Sequence, residues 1–149
     1  LILNENDVWS LNNLGLIYLQ QDRAEDALGP LARAVTLRDN APVFQNNLGI
    51  ALERTGHYTA AGVAFESAIA VDSTYQKSAV NLERVRALSE VPGTPPVNVA
   101  ELAQGFQLEL RMLRDSSRIV EPDSSTEVAE PVPAPVAPAV QEQASSTDQ

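Results

Sequence analysis

The sequence has 149 residues, a formal net charge of −10, 44% hydrophobic residues and no cysteine. The acidic balance disfavours nucleic acids and anionic membrane surfaces as main partners, because both are bound by clustered Lys and Arg side chains. The lack of cysteine excludes disulfides and cysteine-ligated metals from this sequence, and no apolar run reaches the roughly 18 residues of a membrane-spanning helix.

The segment from Leu1 to Asp7 contains no methionine, basic region or cleavage site of the kind that marks a signal peptide. We therefore expect the sequence to begin inside a longer protein, with any targeting segment further upstream. The cellular compartment is left open, since cytoplasm and bacterial periplasm are both compatible with the residues present.

A constant spacing organises the chain from Val8 onwards. The segment Asn12–Leu16 aligns with Asn46–Ile50, and the pair Asn81-Leu82 matches again at the same interval. We call this interval the repeat period. It separates position 12 from position 46, and position 46 from position 80. A fixed period of this size predicts repeated units that stack against their neighbours in one direction.

Each period contains two amphipathic helical patterns separated by a turn. Apolar residues in the first period recur three, four and seven positions apart, as on one face of a helix. These residues are Leu11, Leu14, Tyr18 and Leu19 in the first helix and Ala27, Leu28, Leu31, Ala34 and Val35 in the second. Gly15 and Gly49, at one fixed offset, are expected to let neighbouring helices approach closely.

Local signals predict the helix ends. Asp22-Arg23-Ala24-Glu25 and Ser73-Thr74-Tyr75-Gln76 have the form of capping boxes. Pro42 suits the first turn of a helix, and Gly56 suits the residue after a helix. Pro30 falls inside a predicted helix, where the lost hydrogen bond and the ring clash are expected to cost about 3 kcal/mol or to kink it.

On these residues the sequence resembles the tetratricopeptide repeat family. The family pattern is Leu-Gly, an aromatic residue three positions on, then Ala, a large apolar residue and Ala. The matching residues are Leu14, Gly15, Tyr18, Ala27, Leu31 and Ala34 in the first repeat and Leu48, Gly49, Ala61, Phe65 and Ala68 in the second. The resemblance implies an all-α fold, a right-handed α-solenoid of helix-turn-helix repeats.

The array is predicted to end in the third period. Glu83 and Arg86 replace the glycine and the aromatic residue there, and Pro92–Pro96 occupies the place of a second helix. The predicted segments are the end of a preceding repeat (1–7), two repeats (8–41 and 42–75), the first helix of a terminal repeat (76–91), a Pro-rich linker (92–97), an amphipathic capping helix (98–118) and a tail (119–149).

The last two segments differ in character. Asn98-Val99-Ala100-Glu101 offers a capping box for a helix with one apolar face. Because an array needs an element that covers its last apolar face, we expect this helix to pack on the final repeat. The alternatives are a partner-binding or coiled-coil helix and a mobile segment. Residues 119–149 hold six acids, five prolines and no Lys or Arg, which predicts a disordered acidic tail rich in Pro and Ala.

No catalytic or cofactor-binding pattern is found in the sequence. The single histidine, His57, lies in a predicted turn, and Glu25 and Asp26 fall at a helix start, where carboxylates favour the helix dipole. No phosphate-binding loop, nucleophile elbow or metal-ligand spacing occurs. We therefore predict a protein that is not an enzyme and takes no cofactor or metal.

By resemblance, the first helix of each repeat lines a concave groove that holds an extended peptide or a partner helix. The peptide-binding set that this implies is Asn12, Asn13, Leu16, Asn46, Asn47, Ile50, Arg54, Lys77, Asn81 and Arg84, with Trp9, Gln20, Val43, Val80 and Leu88 also facing the groove. Asn13, Asn47 and Asn81 recur once per repeat, and an amide can both donate to and accept from a peptide backbone. The alternative is that these asparagines join adjacent helices.

Charge and function allow more than one interpretation. Arg54, Lys77 and Arg84 make one end of the groove basic, so an acidic segment is one candidate ligand, in a partner protein or in the tail itself. The main prediction is a scaffold or adaptor that binds another protein. The alternative is a regulatory or substrate-positioning part of a larger enzyme or of a secretion or assembly machine, with its other domains upstream.

Overall fold

The computed structural model describes residues 6–118, which contain helices and no strand. The predicted tail at 119–149 and most of the predicted end of a preceding repeat lie outside the described residues. The helices are α1 (Val8–Gln20), α2 (Ala24–Leu37), α3 (Pro42–Arg54), α4 (Tyr58–Val71), α5 (Gln76–Arg86) and α6 (Val99–Arg118).

The packing order of the helices is that of a solenoid. Helix α1 packs against α2, and α3 packs against α4, so each predicted repeat is a helical pair. Each pair then contacts the next, through α2 with α3 and α4 with α5. The first helices also contact one another, α1 with α3 and α3 with α5, and we call these three the inner helices. The predicted all-α solenoid is confirmed.

Glycine allows the two helices of each pair to approach closely. A Cβ atom on Gly15 would overlap Leu31 Cγ, and one on Gly49 would lie 2.5 Å from Phe65 Cε1. Leu31 and Phe65 are fully buried, so neither side chain has free space to move into. The role predicted for these glycines is confirmed.

The helix ends follow the predicted signals only in part. Pro42 is the first residue of α3, and Gly56 after that helix has a positive φ of +84°. Asp22 lies one period before Gly56 and also has a positive φ, +59°. It therefore ends α1 rather than capping α2, whose N-cap is Arg23 with no side-chain cap hydrogen bond. The capping box predicted at Asp22 is wrong.

The second predicted capping box is also wrong. Helix α5 begins at Gln76, and its N-cap, Tyr75, makes no side-chain cap hydrogen bond. The turn before it is held by Asp72 instead, whose Oδ1 accepts from the Thr74 hydroxyl at 2.7 Å and from the Thr74 amide at 2.9 Å. The hydroxyl bond lowers the pKa of Asp72 below its ordinary value.

Pro30 lies buried within α2, and the helix continues beyond it to Leu37. The hydrogen bond that proline removes would have gone to the carbonyl of Asp26, in the exposed first turn. The helix is continuous across Pro30, so the proline neither ends nor divides it.

Helix α6 is present but packs in a different place from the one predicted. The Asn98 side chain caps it, with Oδ1 accepting from the amides of Ala100 at 3.0 Å and Glu101 at 3.3 Å, which confirms this capping box. The helix packs against α2 of the first repeat and makes no contact with α5. The expectation that it covers the final repeat is therefore wrong.

Two features accompany the packing of α6 on α2. The chain after α5 returns across the start of α4, where Glu90 Oε1 accepts from the amide of Thr59 at 2.7 Å. Helix α2 then offers a continuous apolar stripe, because Ala32 and Val35 follow Leu28 at helical spacing and all three are buried. In α4 the counterpart of Ala32 is Glu66, which is exposed and interrupts the stripe.

Replacing Gly49 by Ala tests the close approach within a pair. We expect Gly49→Ala to lower the free energy of unfolding by about 1–3 kcal/mol, because the added methyl group overpacks a buried site. Gly105→Ala is the matched control, since a Cβ atom there meets no heavy atom within 4 Å. It should stabilise α6 by up to about 1 kcal/mol through helix propensity. Urea unfolding measures both, and equal effects of the two changes would contradict the packing described.

Candidate functional site

The candidate site is the surface of the three inner helices. The predicted peptide-binding residues differ in exposure along this surface. Asn12, Asn46 and Asn47 are buried, Leu16, Ile50 and Asn81 are half-buried, and Asn13, Arg54, Lys77 and Arg84 are exposed. A residue that is nearly enclosed by protein has few atoms left for a ligand, so the set divides into structural and accessible members.

Asparagine side chains join each inner helix to the one before it. Asn47 Nδ2 donates to Asn12 Oδ1 at 2.8 Å, and Asn81 Nδ2 donates to Asn46 Oδ1 at 2.9 Å. The hydroxyl of Ser78, which is fully buried, donates to the same Asn46 oxygen at 3.1 Å. We call the contact between α1 and α3 the first joint and the contact between α3 and α5 the second joint. In both joints an amide donates to an asparagine oxygen in the preceding repeat.

These bonds bear on the predicted asparagine ladder. One N–H of Asn47 and one of Asn81 are already used between helices, and Asn47 is only 7% exposed. The observed bonds agree with the alternative, in which the asparagines join adjacent helices, and a direct peptide contact stays a prediction. The sequence carried a signal for this role, because an Asn-Asn pair repeated after one period supplies a donor and an acceptor at successive joints.

Two of the three predicted groove cations have partners in the fold. Arg54 Nη1 donates to the carbonyl oxygen of Leu19 at 2.7 Å, near the end of α1. Arg84 forms a bidentate pair with Glu53, at 2.7 Å from Nε to Oε1 and 2.6 Å from Nη2 to Oε2. The Glu53 hydrogen bond raises the pKa of Arg84. Lys77 forms no ion pair among residues 6–118, so it carries the accessible positive charge of the three.

A depression of about 400 Å³ lies between α3 and α5. Its lining residues are Asn46, Ile50, Gln76, Lys77, Val80 and Asn81. Four of these belong to the predicted peptide-binding set, and Val80 was expected to face the groove as well. Gln76, the first residue of α5, was not predicted to line the site, because no residue type recurs at its position in the repeat. The other predicted residues do not line this depression.

Trp9 marks the part of the inner surface that belongs to the first repeat. Its ring packs edge-on against Phe44, with 5.0 Å between centroids and an interplanar angle of 72°. Phe44 is fully buried, whereas Trp9 keeps 53% of its surface exposed. The indole is thus fixed on one side by the second repeat and open to solvent on the other.

A larger cavity, of about 590 Å³, lies between α2, the turn after α3 and α6. Tyr18, His57 and Phe106 are among its lining residues. The cavity forms because α6 packs against α2, and the repeat period of the sequence does not predict that contact. This explains why sequence analysis assigned His57 only to a turn.

Neither a metal cluster nor a membrane-crossing helix occurs in the part of the chain that the structure describes. Residues 6–118 hold no group of three or more His, Asp or Glu side chains placed to bind a metal ion. Within the same residues, every helix is too short or too polar to cross a lipid bilayer.

A comparison of the sequence with known protein families agrees with three features of the fold. These are the helical pairs, the joints one period apart and the glycine contacts. The family model described as Tetratricopeptide repeat matches residues 8–39, which include α1 and α2. Residues 8–39 are therefore similar to a tetratricopeptide repeat, and the helical pairs of the structure agree with that match. No curated protein matches its sequence. Tetratricopeptide repeats are in general modules for protein–protein interaction.

Removing the shared acceptor at the second joint tests the asparagine bonds. Asn46→Ala should lower the free energy of unfolding by about 1–3 kcal/mol, because it leaves the Asn81 amide and the buried Ser78 hydroxyl without their acceptor. Asn13→Ala is the matched control and should change stability by less than about 0.5 kcal/mol, as surface substitutions usually do. Urea unfolding gives both values. A loss no larger at Asn46 than at Asn13 would show that the bond contributes nothing to the joint.

Proposed function

We propose that this protein is a non-catalytic scaffold or adaptor that binds an extended peptide or a partner helix along its inner helices. The depression between α3 and α5 carries the proposal. Within it, the exposed Val80 and the half-buried Ile50 stand beside the exposed Lys77. Apolar side chains in a recess with a few polar groups are the usual composition of a ligand-binding surface.

The residues of the depression suggest how a ligand is held. An aliphatic side chain of the ligand covers Val80, which is 62% exposed, and Ile50. The Lys77 ammonium donates to a carbonyl or carboxylate oxygen of the ligand. The Asn81 side chain keeps an oxygen that accepts no bond from residues 6–118, and this oxygen accepts from a ligand backbone N–H.

Charge plays a secondary part in this proposal. The Arg84 charge is balanced by Glu53, and Arg54 is engaged with the end of α1. An acidic ligand therefore meets mainly Lys77. The proposed affinity depends on shape and apolar contact, and it changes only modestly with salt concentration. If the chain is the positioning segment of a larger enzyme or assembly machine, the same surface does the positioning.

Site-specific cross-linking tests the proposal. A photoreactive phenylalanine analogue at Val80 should form adducts with the partner protein, which mass spectrometry then identifies. The same analogue at Val63 on α4 is the matched control, because the two valines are similarly exposed, at 62% and 59%. We expect adducts from Val80 and none from Val63.

Affinity measurements with the identified partner complete this test. Val80→Gln should weaken binding about tenfold, the loss expected when roughly one valine side chain is no longer buried. Val63→Gln should leave binding unchanged. Adducts that form only at Val63, or equal affinities for the two variants, would place the binding surface elsewhere.

A further inference from the structure

The cavity of about 590 Å³ between α2, the turn after α3 and α6 is separate from the depression on the inner helices. None of its lining residues lines that depression, which belongs to α3 and α5. Its volume lies in the range of about 300–1,000 Å³ that ligand-binding pockets occupy. Because Pro95, Pro96 and Gly105 are among its lining residues and are exposed, a ligand can enter it from solvent. We call it the α2–α6 cavity.

Apolar and aromatic side chains form the walls of the α2–α6 cavity. Leu28 of α2 is buried, and Leu102 and Phe106 of α6 are half-buried. Tyr18 adds a second aromatic ring from the last turn of α1. Phe106 is held closely against α2, since a Cβ atom on Gly29 would lie 2.9 Å from Phe106 Cβ. The walls therefore give an aliphatic chain a preformed apolar surface to lie against.

The charged side chains that line this cavity are all acidic. They are Glu25, Asp26, Glu101 and Glu109, and neither Lys nor Arg is among the lining residues. Within residues 6–118 only Asp26 forms an ion pair, so three carboxylates are free to pair with a ligand. No group of acidic side chains or histidine in that range is placed to hold a metal ion. The cation that suits this cavity is therefore an organic one.

The chain already holds one organic cation at the edge of the α2–α6 cavity. The guanidinium carbon of Arg23 lies 4.6 Å from the centroid of the Tyr18 ring. Arg23 Nε also donates to Asp26 Oδ2 at 2.7 Å. A cation over an aromatic face and beside a carboxylate is a favourable arrangement. Phe106 and Glu109, three positions apart on α6, bring a second aromatic ring and a second carboxylate to the same cavity.

We infer that the α2–α6 cavity binds a Lys or Arg side chain that a segment of a partner protein presents. Both side chains bury an aliphatic stem against apolar surface and keep the charged head near solvent. The stem lies against Leu102 and Phe106, and the head pairs with Glu25 and Glu109. The inference adds a second binding surface to the one proposed on the inner helices.

The open side of the cavity favours a partner segment over a free small cation. Exposed residues before α6, including Pro95 and Pro96, continue the lining towards solvent. A chain that carries the basic side chain can lie over these residues, whereas a free cation leaves them uncovered. The additional contact area is expected to make the segment bind more tightly than its side chain alone.

Titration of the isotope-labelled full chain with a basic peptide tests this inference. The probe is an acetylated and amidated decapeptide of alternating Ala and Lys, and NMR spectra follow the backbone amides. We expect saturable shifts at Glu101 and Gly105, which line the cavity, and none at Lys77 and Val80 on α5. A decapeptide of alternating Ala and Glu should shift neither pair.

Two double variants measure the contribution of the carboxylates. Glu25→Gln with Glu109→Gln should raise the Kd of the basic peptide about fivefold, since two exposed ion pairs each contribute roughly a factor of two to three. The matched control is Asp39→Asn with Glu83→Gln, which removes the same charge from exposed residues that do not line the cavity. Its Kd should change less than about twofold. Circular dichroism verifies that both variants keep their helix content.

Several outcomes would overturn the inference. Equal weakening in the two double variants would show attraction by net charge alone. Shifts confined to residues 119–149, which hold six acids, would place the basic peptide on the tail. Missing shifts at Glu101 and Gly105 would show that the cavity does not bind the peptide.

A single-residue probe separates a partner segment from a free cation. N-acetyl-lysine methylamide should bind at least tenfold more weakly than the decapeptide, and equal affinities would contradict the commitment to a partner segment. Binding at the cavity is detected on α6, whereas the proposed function is tested at Val80 on α5. Either surface can therefore fail its test without affecting the result for the other.

Discussion

Hydrogen bonds between asparagine side chains join successive inner helices, beside the packing of α2 on α3 and of α4 on α5. A buried amide that lost its partner would cost about 1–3 kcal/mol, so each bond makes other placements of the helix unfavourable. Asn47 with Asn12 and Asn81 with Asn46 fix the first and second joints in the same manner. Gly15 and Gly49 then let the second helix of each repeat pack closely behind the inner one. The asparagine bonds and the glycine contacts together set the spacing of the inner helices.

This arrangement divides the inner surface by role. Asn12, Asn46 and Asn47 hold the helices together and are nearly enclosed, whereas Lys77 and Val80 face solvent. A substitution of the first group changes the shape of the whole surface, so a loss of binding there would not locate a ligand contact. Substitutions of the second group change the surface alone. The tests of the proposed binding function are therefore placed on exposed residues of this second group.

The sequence predicted the features that recur with its period. Helix patterns, the glycines beneath Leu31 and Phe65, and the start of α3 at Pro42 all depend on residues close together in the chain or repeated at a fixed distance. These local and periodic signals made the helical pairs and the solenoid predictable from the amino-acid order alone.

Features that depend on contacts between distant segments were not predictable in this way. Helix α6 packs against α2, and no local pattern in the sequence relates these two segments. Arg84 was expected to be available to a ligand, yet its partner Glu53 lies on the neighbouring inner helix. Asp22 was expected to cap α2, but its backbone adopts the conformation that glycine has at the end of α3.

A double-mutant cycle between Asn12 and Asn47 tests the central claim most directly. The two residues lie 35 positions apart and share one buried hydrogen bond of 2.8 Å. Free energies of unfolding for the chain, the two alanine variants and the double variant should give a coupling of about 1 kcal/mol. A cycle between Asn13 and Asn47 serves as the control and should give a value near zero. A coupling between Asn12 and Asn47 no larger than that control would contradict the role assigned to the asparagines.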